Sequence, residues 1–270
     1  MAMSTDTSPV SAGSTSRQPA PPRTASGLVL SLFIASIITV AGCAGGSTEP
    51  GVAGVPGSAS SAGTSDTAAG SPVAPAQSLI AEIDRELGAM RSTRYQHTTL
   101  VDEGRGSFMY DCSGLLDYAL GRVAPGAVGV LPTSTSARPL AGDIERYLHR
   151  GLTGPIGGWQ ALPRVDQLRP GDVIAWQATE DSRTGDTGHV MVVHATPVPN
   201  PARPHEWLVQ VADSTLNPHA LDSRKPAETG LGTGRIGLVV DEQGAATAFY
   251  WRGAISEHAK ATEISLGRLT

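Results

Sequence analysis

The stretch from Ala44 to about Ala76 most limits what this chain can fold into. It consists almost entirely of Gly, Ser, Ala, Thr, Pro and Val, and its only charged residues are Glu49 and Asp66. Such a segment cannot bury enough apolar surface to offset the entropy lost on ordering. We therefore expect residues 43–76 to form a flexible linker with an r.m.s. span of roughly 30 Å.

The segment before this linker has the features of an export signal. Gly27 to Val40 is a run of apolar and small residues, Arg17 and Arg23 precede it, and small residues lead directly into Cys43. The run has the length of a signal-peptide core and is short for a membrane span. This pattern is typical of a bacterial lipoprotein: residues 1–42 would be removed, and a lipid on Cys43 would anchor the chain to a bacterial membrane, at the periplasmic face or the cell surface. An ordinary signal peptide or an uncleaved anchor is the alternative.

The composition of the remaining part favours one domain that does not bind nucleic acid. About 190 residues are enough for a single core, which we place at residues 77–256, with a tail at 257–270. The formal net charge is −5, and the basic residues are scattered and nearly all Arg, with Lys225 and Lys260 the only lysines. No basic stripe with interleaved aromatics is present. We expect a monomer.

Hydrophobic periodicity indicates helices first and strands after them. Helices are predicted over Ser78–Arg91, with Ser78 as the N-cap, over Asp111–Arg122, and over Leu140–Arg150. Short β-rich runs follow, at Asp172–Gln177, His189–Ala195, Trp207–Asp213, Ile236–Val240 and Ala246–Trp251. The last two runs flank turn residues 241–244 and predict a hairpin. This order is typical of an α+β fold, with N-terminal helices packed on an antiparallel sheet.

Cys112 is left as the single thiol if Cys43 carries a lipid. An exported chain with one free thiol uses it for chemistry, as a buried structural group, or for pairing between molecules. Cys112 falls in the first turn of its predicted helix, with Asp111 at or next to the cap. A helix N-terminus favours the reactive thiolate, and its free N–H groups can hold an oxyanion.

A thiol nucleophile needs a base and an orienting partner for that base. His189 opens a buried strand and shares a face with Met191 and Val193, while His194 lies on the opposite face. Asp213 ends an apolar row on the next strand. We predict His189 as the base and Asp213 as its partner. A solvated strand end and a turn residue are the respective alternatives.

Three segments together resemble the NlpC-type cell-wall cysteine peptidases, a compact branch of the papain-like superfamily. They are Asp111-Cys112-Ser113-Gly114 at a helix start, Leu168-Arg169-Pro170-Gly171-Asp172-Val173 entering a strand, and Gly188-His189-Val190-Met191-Val192-Val193. They stand in the order of that family, and the resemblance covers roughly residues 94–213.

The resemblance implies a papain-like fold and a Cys-His pair with a third polar residue, carried here by Cys112, His189 and Asp213. It also implies cleavage of peptide stems in peptidoglycan. Tyr95 lies where the family often has a tyrosine, so Tyr95 and Ser113 are candidates for the oxyanion or substrate site. The sequence departs from the family in three ways. The third catalytic position is often His in the family, and the stretch 122–163 is longer than in compact members and is expected to build or cover a wall of the cleft. No wall-binding repeat is present.

Other signals do not favour a cofactor or metal. Cys112, His189 and Asp213 lack the second Cys or paired His that a zinc site typically has, and Gly232–Gly237 matches a dinucleotide motif by letter but is expected to be a loop that enters a strand. A solvated loop is favoured for His97, with the cleft wall as its alternative. A surface position is expected for four other histidines, His149, His205, His219 and His258.

The expected function is therefore a membrane-tethered thiol hydrolase that cleaves amide bonds in peptidoglycan stem peptides. Acyl transfer or amidase chemistry on another amide or a lipid is the alternative within enzymes. A catalytically silent lipoprotein that binds the cell wall is the alternative outside them.

Overall fold

The computed structural model describes residues 74–151, 154–179, 182–183 and 185–270. The predicted signal peptide, the lipidation site Cys43 and nearly all of the predicted linker lie outside these residues. None of the helices in the described ranges has the length and the hydropathy needed to cross a membrane.

The described chain has four α-helices, and three of them lie close to the helices that periodicity predicts. They are α1 (Pro75–Ala89), α2 (Cys112–Val123), α3 (Pro125–Gly129) and α4 (Ala141–Arg150). Ser78 is not the N-cap of α1. Ala74 has this role, because Pro75 fits the first helical position, where a backbone N–H would have no partner in the helix. The Ser78 N–H is already in the helix and donates to the Ala74 carbonyl at 3.1 Å.

Two sheets accompany these helices in the described ranges. The small sheet has the strands β1 (Ser92–Arg94), β2 (Leu100–Asp102) and β3 (Ser107–Met109). The large sheet has the strands β4 (Trp159–Leu162), β5 (Val173–Gln177), β6 (Gly188–Val193), β7 (Val198–Pro199), β8 (Glu206–Thr215), β9 (Gly230–Val240), β10 (Ala246–Tyr250), β11 (Lys260–Ala261) and β12 (Ile264–Leu269).

Every pairing in the large sheet is antiparallel. The order is β11-β10-β9-β8-β6-β5-β12-β4, and β7 pairs with β8 outside this path. The predicted hairpin is confirmed, with β9 and β10 paired and the Gly244 N–H donating to the Asp241 carbonyl at 3.0 Å. Helices together with an antiparallel sheet confirm the α+β class.

Two predictions about the sheet are wrong. Residues 257–270 are not a tail, because β12 inserts between β5 and β4 and buries Leu266 and Leu269. Gly232–Gly237 is not a loop, because it lies inside β9. Both segments are rich in small or polar residues, so pairing with neighbouring strands decides their conformation more than their own propensity.

The large sheet has a hydrophobic core on each of its two faces, and β6 contributes side chains to both. Val190 and Val192 point to the core beneath the helices, while Met191 and Val193 point to the core on the other face. This is the period of two that the sequence predicts. α2 packs on β6 and β8, and its first residue, Cys112, interacts with His189 near the start of β6.

Candidate active site

Asp111 caps α2 and fixes the position of the thiol that follows it. Its backbone is extended, and its Oδ1 accepts the Gly114 N–H at 2.7 Å. The cap satisfies one of the free N–H groups of the first turn, which leaves the N–H groups of Cys112 and Ser113 directed away from the helix. Cys112 is buried, with 6% of its surface exposed, and is a free cysteine.

His189 lies between Cys112 and Asp213. Its Nε2 is 2.6 Å from Asp213 Oδ2, and its imidazole also lies within interaction distance of the Cys112 side chain. Since Nε2 is engaged by the carboxylate, Nδ1 is the nitrogen that remains for the sulfur. The structure thus brings Cys112, His189 and Asp213 together in the predicted order.

The surroundings of His189 favour its protonated form. Burial alone lowers its pKa, but negative charge on Cys112 and the hydrogen bond to Asp213 outweigh burial and raise the pKa to about 10. The arrangement therefore favours an imidazolium at neutral pH, held beside the sulfur of Cys112. In this form the imidazole holds the proton that a departing amine needs.

Asp213 is fully buried, and its carboxylate contacts two basic side chains that the sequence did not predict. Arg224 Nη2 donates to Asp213 Oδ1 at 2.6 Å, and His219 Nε2 lies 2.9 Å from Oδ2. Burial alone raises the pKa of Asp213, yet His219, His189 and Arg224 together hold it well below its usual range. A buried carboxylate requires such partners. That requirement is the signal that could have pointed to the nearest basic side chains downstream.

The prediction that His219 lies at the surface is wrong, since it is 3% exposed. Residues 216–229, between β8 and β9, fold back along β9, where Ala220 forms a bridge with Arg235. A histidine that follows Asn217 and Pro218 in sequence resembles a loop residue, and nothing in its local pattern predicts this return. The other three histidines expected at the surface, His149, His205 and His258, are exposed.

Arg138 is a second residue that the sequence analysis missed. It belongs to the 122–163 stretch, and its Nη2 lies 2.6 and 2.7 Å from the two carboxylate oxygens of Asp111. Its Nη1 donates to Ser113 Oγ at 2.6 Å, so the Ser113 hydroxyl is engaged within the protein. The stretch therefore contributes to the wall beside the thiol, as expected.

Tyr95 and His97 line the same region. Burial, followed by the negative charges of Cys112 and Asp111, raises the pKa of Tyr95, so its hydroxyl stays neutral and can donate a hydrogen bond. No residue in the described ranges hydrogen-bonds this hydroxyl. His97, for which a solvated loop was favoured, is largely exposed, but its Nδ1 lies 3.0 Å from Asp111 Oδ2.

Aromatic rings enclose the imidazole of His189. The Trp251 ring meets it at 5.0 Å in an edge-on contact, and the Trp176 ring lies 5.6 Å away. Trp176 is itself stacked on Phe249 at 4.2 Å. These rings limit the rotation of the imidazole and keep water from its buried edge.

The histidines and the carboxylate of this site also form a possible metal-ligand group. His189, Asp213 and His219 place their ligand atoms within 4.8 Å of one another. However, Asp213 Oδ2 is already within hydrogen-bond distance of both imidazoles. A tetrahedral zinc ion bonded to an O and an N at about 2.0–2.2 Å would hold them roughly 3.4 Å apart. The geometry fits a hydrogen-bonded network better than a zinc site.

Fold and site together define an α+β protein with a buried Cys-His-Asp network at a helix N-terminus. No protein-family model matches the chain, and neither the curated proteins nor the solved structures compared with it include a significant match.

Proposed function

We propose that this protein is a thiol hydrolase that cleaves amide bonds in peptidoglycan stem peptides. The observation that carries the proposal is the continuous chain of contacts from Cys112 through His189 to Asp213. The resemblance of the three motifs to NlpC-type peptidases supports a papain-like architecture and a cell-wall substrate.

The geometry supports the following sequence of bond changes. The Cys112 sulfur attacks the carbonyl carbon, and the oxyanion is held by the N–H groups at the start of α2, with the Tyr95 hydroxyl as a further donor. His189 Nδ1 gives its proton to the amide nitrogen, the C–N bond breaks, and a thioester remains on Cys112. A water molecule then loses a proton to His189, attacks the thioester and releases the acid and the thiolate.

The roles of the remaining residues follow from their contacts. Asp213 orients His189 and stabilises the imidazolium. Arg138 neutralises Asp111, which would otherwise place an unpaired negative charge next to the attacking sulfur. We also propose that a lipid on Cys43 tethers the site to a membrane near its substrate, which labelling with a fatty-acid analogue in the wild type and in Cys43→Ala would test.

The activity is tested by digesting purified sacculi and isolated muropeptides with the full chain and with Cys112→Ala. Mass spectrometry of the products should show new peptide ends with the wild type only. Equal products from both proteins, or no cleavage by either, would remove the hydrolase proposal. Binding of sacculi without cleavage would favour a wall-binding protein instead, and amide products joined to an added amine would favour acyl transfer.

A further inference from the structure

We infer that His219 is a positioning residue of this site: an imidazole that donates from both ring nitrogens and so holds Asp213 and Trp251 in place around His189. The inference rests on the proposed function of the site. It adds a fourth residue to the Cys112, His189 and Asp213 chain, one that touches neither the sulfur nor the scissile bond.

The contacts of His219 fix its protonation state. Its Nε2 lies 2.9 Å from Asp213 Oδ2, and its Nδ1 lies 3.0 Å from the carbonyl oxygen of Trp251. A carbonyl oxygen and an ionised carboxylate are acceptors only, so both ring nitrogens must donate. A histidine that donates from both nitrogens is an imidazolium.

The same ring fixes His189 from two directions. Through Nε2 it holds the carboxylate oxygen that binds His189, and through Nδ1 it holds the backbone of Trp251. The indole ring of Trp251 contacts both imidazoles, at 5.0 Å from His189 and 4.2 Å from His219. These four side chains form a closed ring of contacts, so a shift of His219 is transmitted to His189 along both arms.

Two glycines of β9 provide the space for this arrangement. A Cβ atom on Gly234 would lie 2.6 Å from the Cβ of His219, and a Cβ on Gly232 would lie 2.7 Å from Cγ of Arg224. Separations this short require the neighbour to shift. The glycines therefore allow the two cations of the 216–229 segment to lie flat against β9 and reach Asp213.

The charges around His219 predict the direction of its influence. The ionisable groups that face it or its partners are Cys112 from α2, His189 from β6, Asp213 from β8, and Asp222 and Arg224 from its own segment. Because His219 and His189 share one oxygen of Asp213, the positive charge on His219 weakens the attraction of that oxygen for the His189 proton. Loss of this charge should make His189 harder to deprotonate.

The variant His219→Gln tests this inference, with the exposed His205→Gln as its control. Gln can still donate one hydrogen bond but carries no charge. NMR titration of His189 in the full chain should show its midpoint rising by about one pH unit in His219→Gln and unchanged in His205→Gln. The pH dependence of Cys112 alkylation by iodoacetamide should shift in the same direction. An unchanged His189 midpoint in His219→Gln would overturn the inference.

A measurement on the wild type tests the inference even if the variant His219→Gln fails to fold. Nitrogen-15 shifts of His219 at pH 7.5 should show both ring nitrogens protonated, and a neutral ring would overturn the inference. Neither readout needs a substrate. Failure of the sacculus digestion would therefore reject the proposed activity without affecting this result, and an unprotonated His219 would leave the hydrolase proposal in place.

Discussion

The guanidinium of Arg138 neutralises Asp111, the residue directly before Cys112, through contacts of 2.6 and 2.7 Å. Arg138 is 27 residues away in sequence, and its side chain is 17% exposed. The thiol therefore lies beside a matched pair of charges rather than beside a lone carboxylate. We expect this pairing to affect how readily anions reach the sulfur.

Replacing Arg138 by Gln should make the site less accessible to anions. Without the guanidinium, the Asp111 carboxylate repels negative reagents from Cys112. The rate of alkylation by iodoacetate should fall about 3-fold or more relative to that by neutral iodoacetamide. The exposed variant Arg105→Gln is the control and should keep the wild-type ratio. A wild-type ratio in Arg138→Gln would contradict the role given to this residue.

Asp213→Asn should destabilise the fold as well as the site. Asn fills the same volume but removes one of the two carboxylates that the buried Arg224 contacts, the other being that of Asp222. Breaking a buried ion pair typically costs about 3–5 kcal/mol. Urea unfolding should show this loss. In Asp84→Asn, which changes an exposed carboxylate, we expect less than about 1 kcal/mol. Equal stabilities of the two variants would mean that Asp213 is not the anchor of the network.

Glu86 should make the protein less stable as the pH rises from acid to neutral. Its carboxyl group is buried, Oε1 has no partner in the described chain, and the Tyr110 hydroxyl donates to Oε2 at 2.6 Å. Burial, partly opposed by the Tyr110 hydrogen bond, raises its pKa to about 7. The neutral form thus favours the folded state fully below the unfolded pKa of about 4.3, and this contribution is lost as the pH rises through about 7.

The pH dependence of unfolding in Glu86→Gln tests this directly. Between pH 4.5 and 7.5 the free energy of unfolding of the wild type should fall by about 2–3 kcal/mol more than that of the variant. Glu257→Gln, at an exposed position, should follow the wild type. Parallel curves for Glu86→Gln and the wild type would exclude a raised pKa of the Glu86 carboxyl group in the folded state.

Two glycine substitutions should have opposite effects on stability. Gly121 lies in α2 with open space around its Cα, so Gly121→Ala should stabilise the protein by about 0.5–1 kcal/mol. Gly234→Ala should destabilise it, because the new methyl group would collide with His219. Thermal unfolding measures both. A neutral or stabilising Gly234→Ala would show that His219 does not lie against β9.

Local patterns predict much of this fold because local physics determines those parts. The α2 helix follows from an Asp111 cap and an apolar stripe, and the alternating faces of β6 and β8 follow from a period of two. His189 and Asp213 could be paired from the sequence because neighbouring antiparallel strands carry them.

The site residues that the sequence did not predict reach the site only because distant segments of the chain fold back onto it. His219 and Arg224 reach Asp213 only because residues 216–229 fold against β9, and Arg138 reaches Asp111 from a connection between helices. The strand β12 forms because it pairs with β4 on one side and with β5 on the other. In each case the local residues are compatible with a solvated loop, and only tertiary contacts decide otherwise.

The central claim is that Cys112 becomes acylated during turnover. The full chain, mixed with a cleavable muropeptide and quenched in acid within the first turnover, should gain the mass of the acyl half of that peptide. The adduct should map to the peptide containing Cys112 and should be absent in Cys112→Ala, which should also lack turnover. Cleavage of the muropeptide by Cys112→Ala at the wild-type rate would contradict the account.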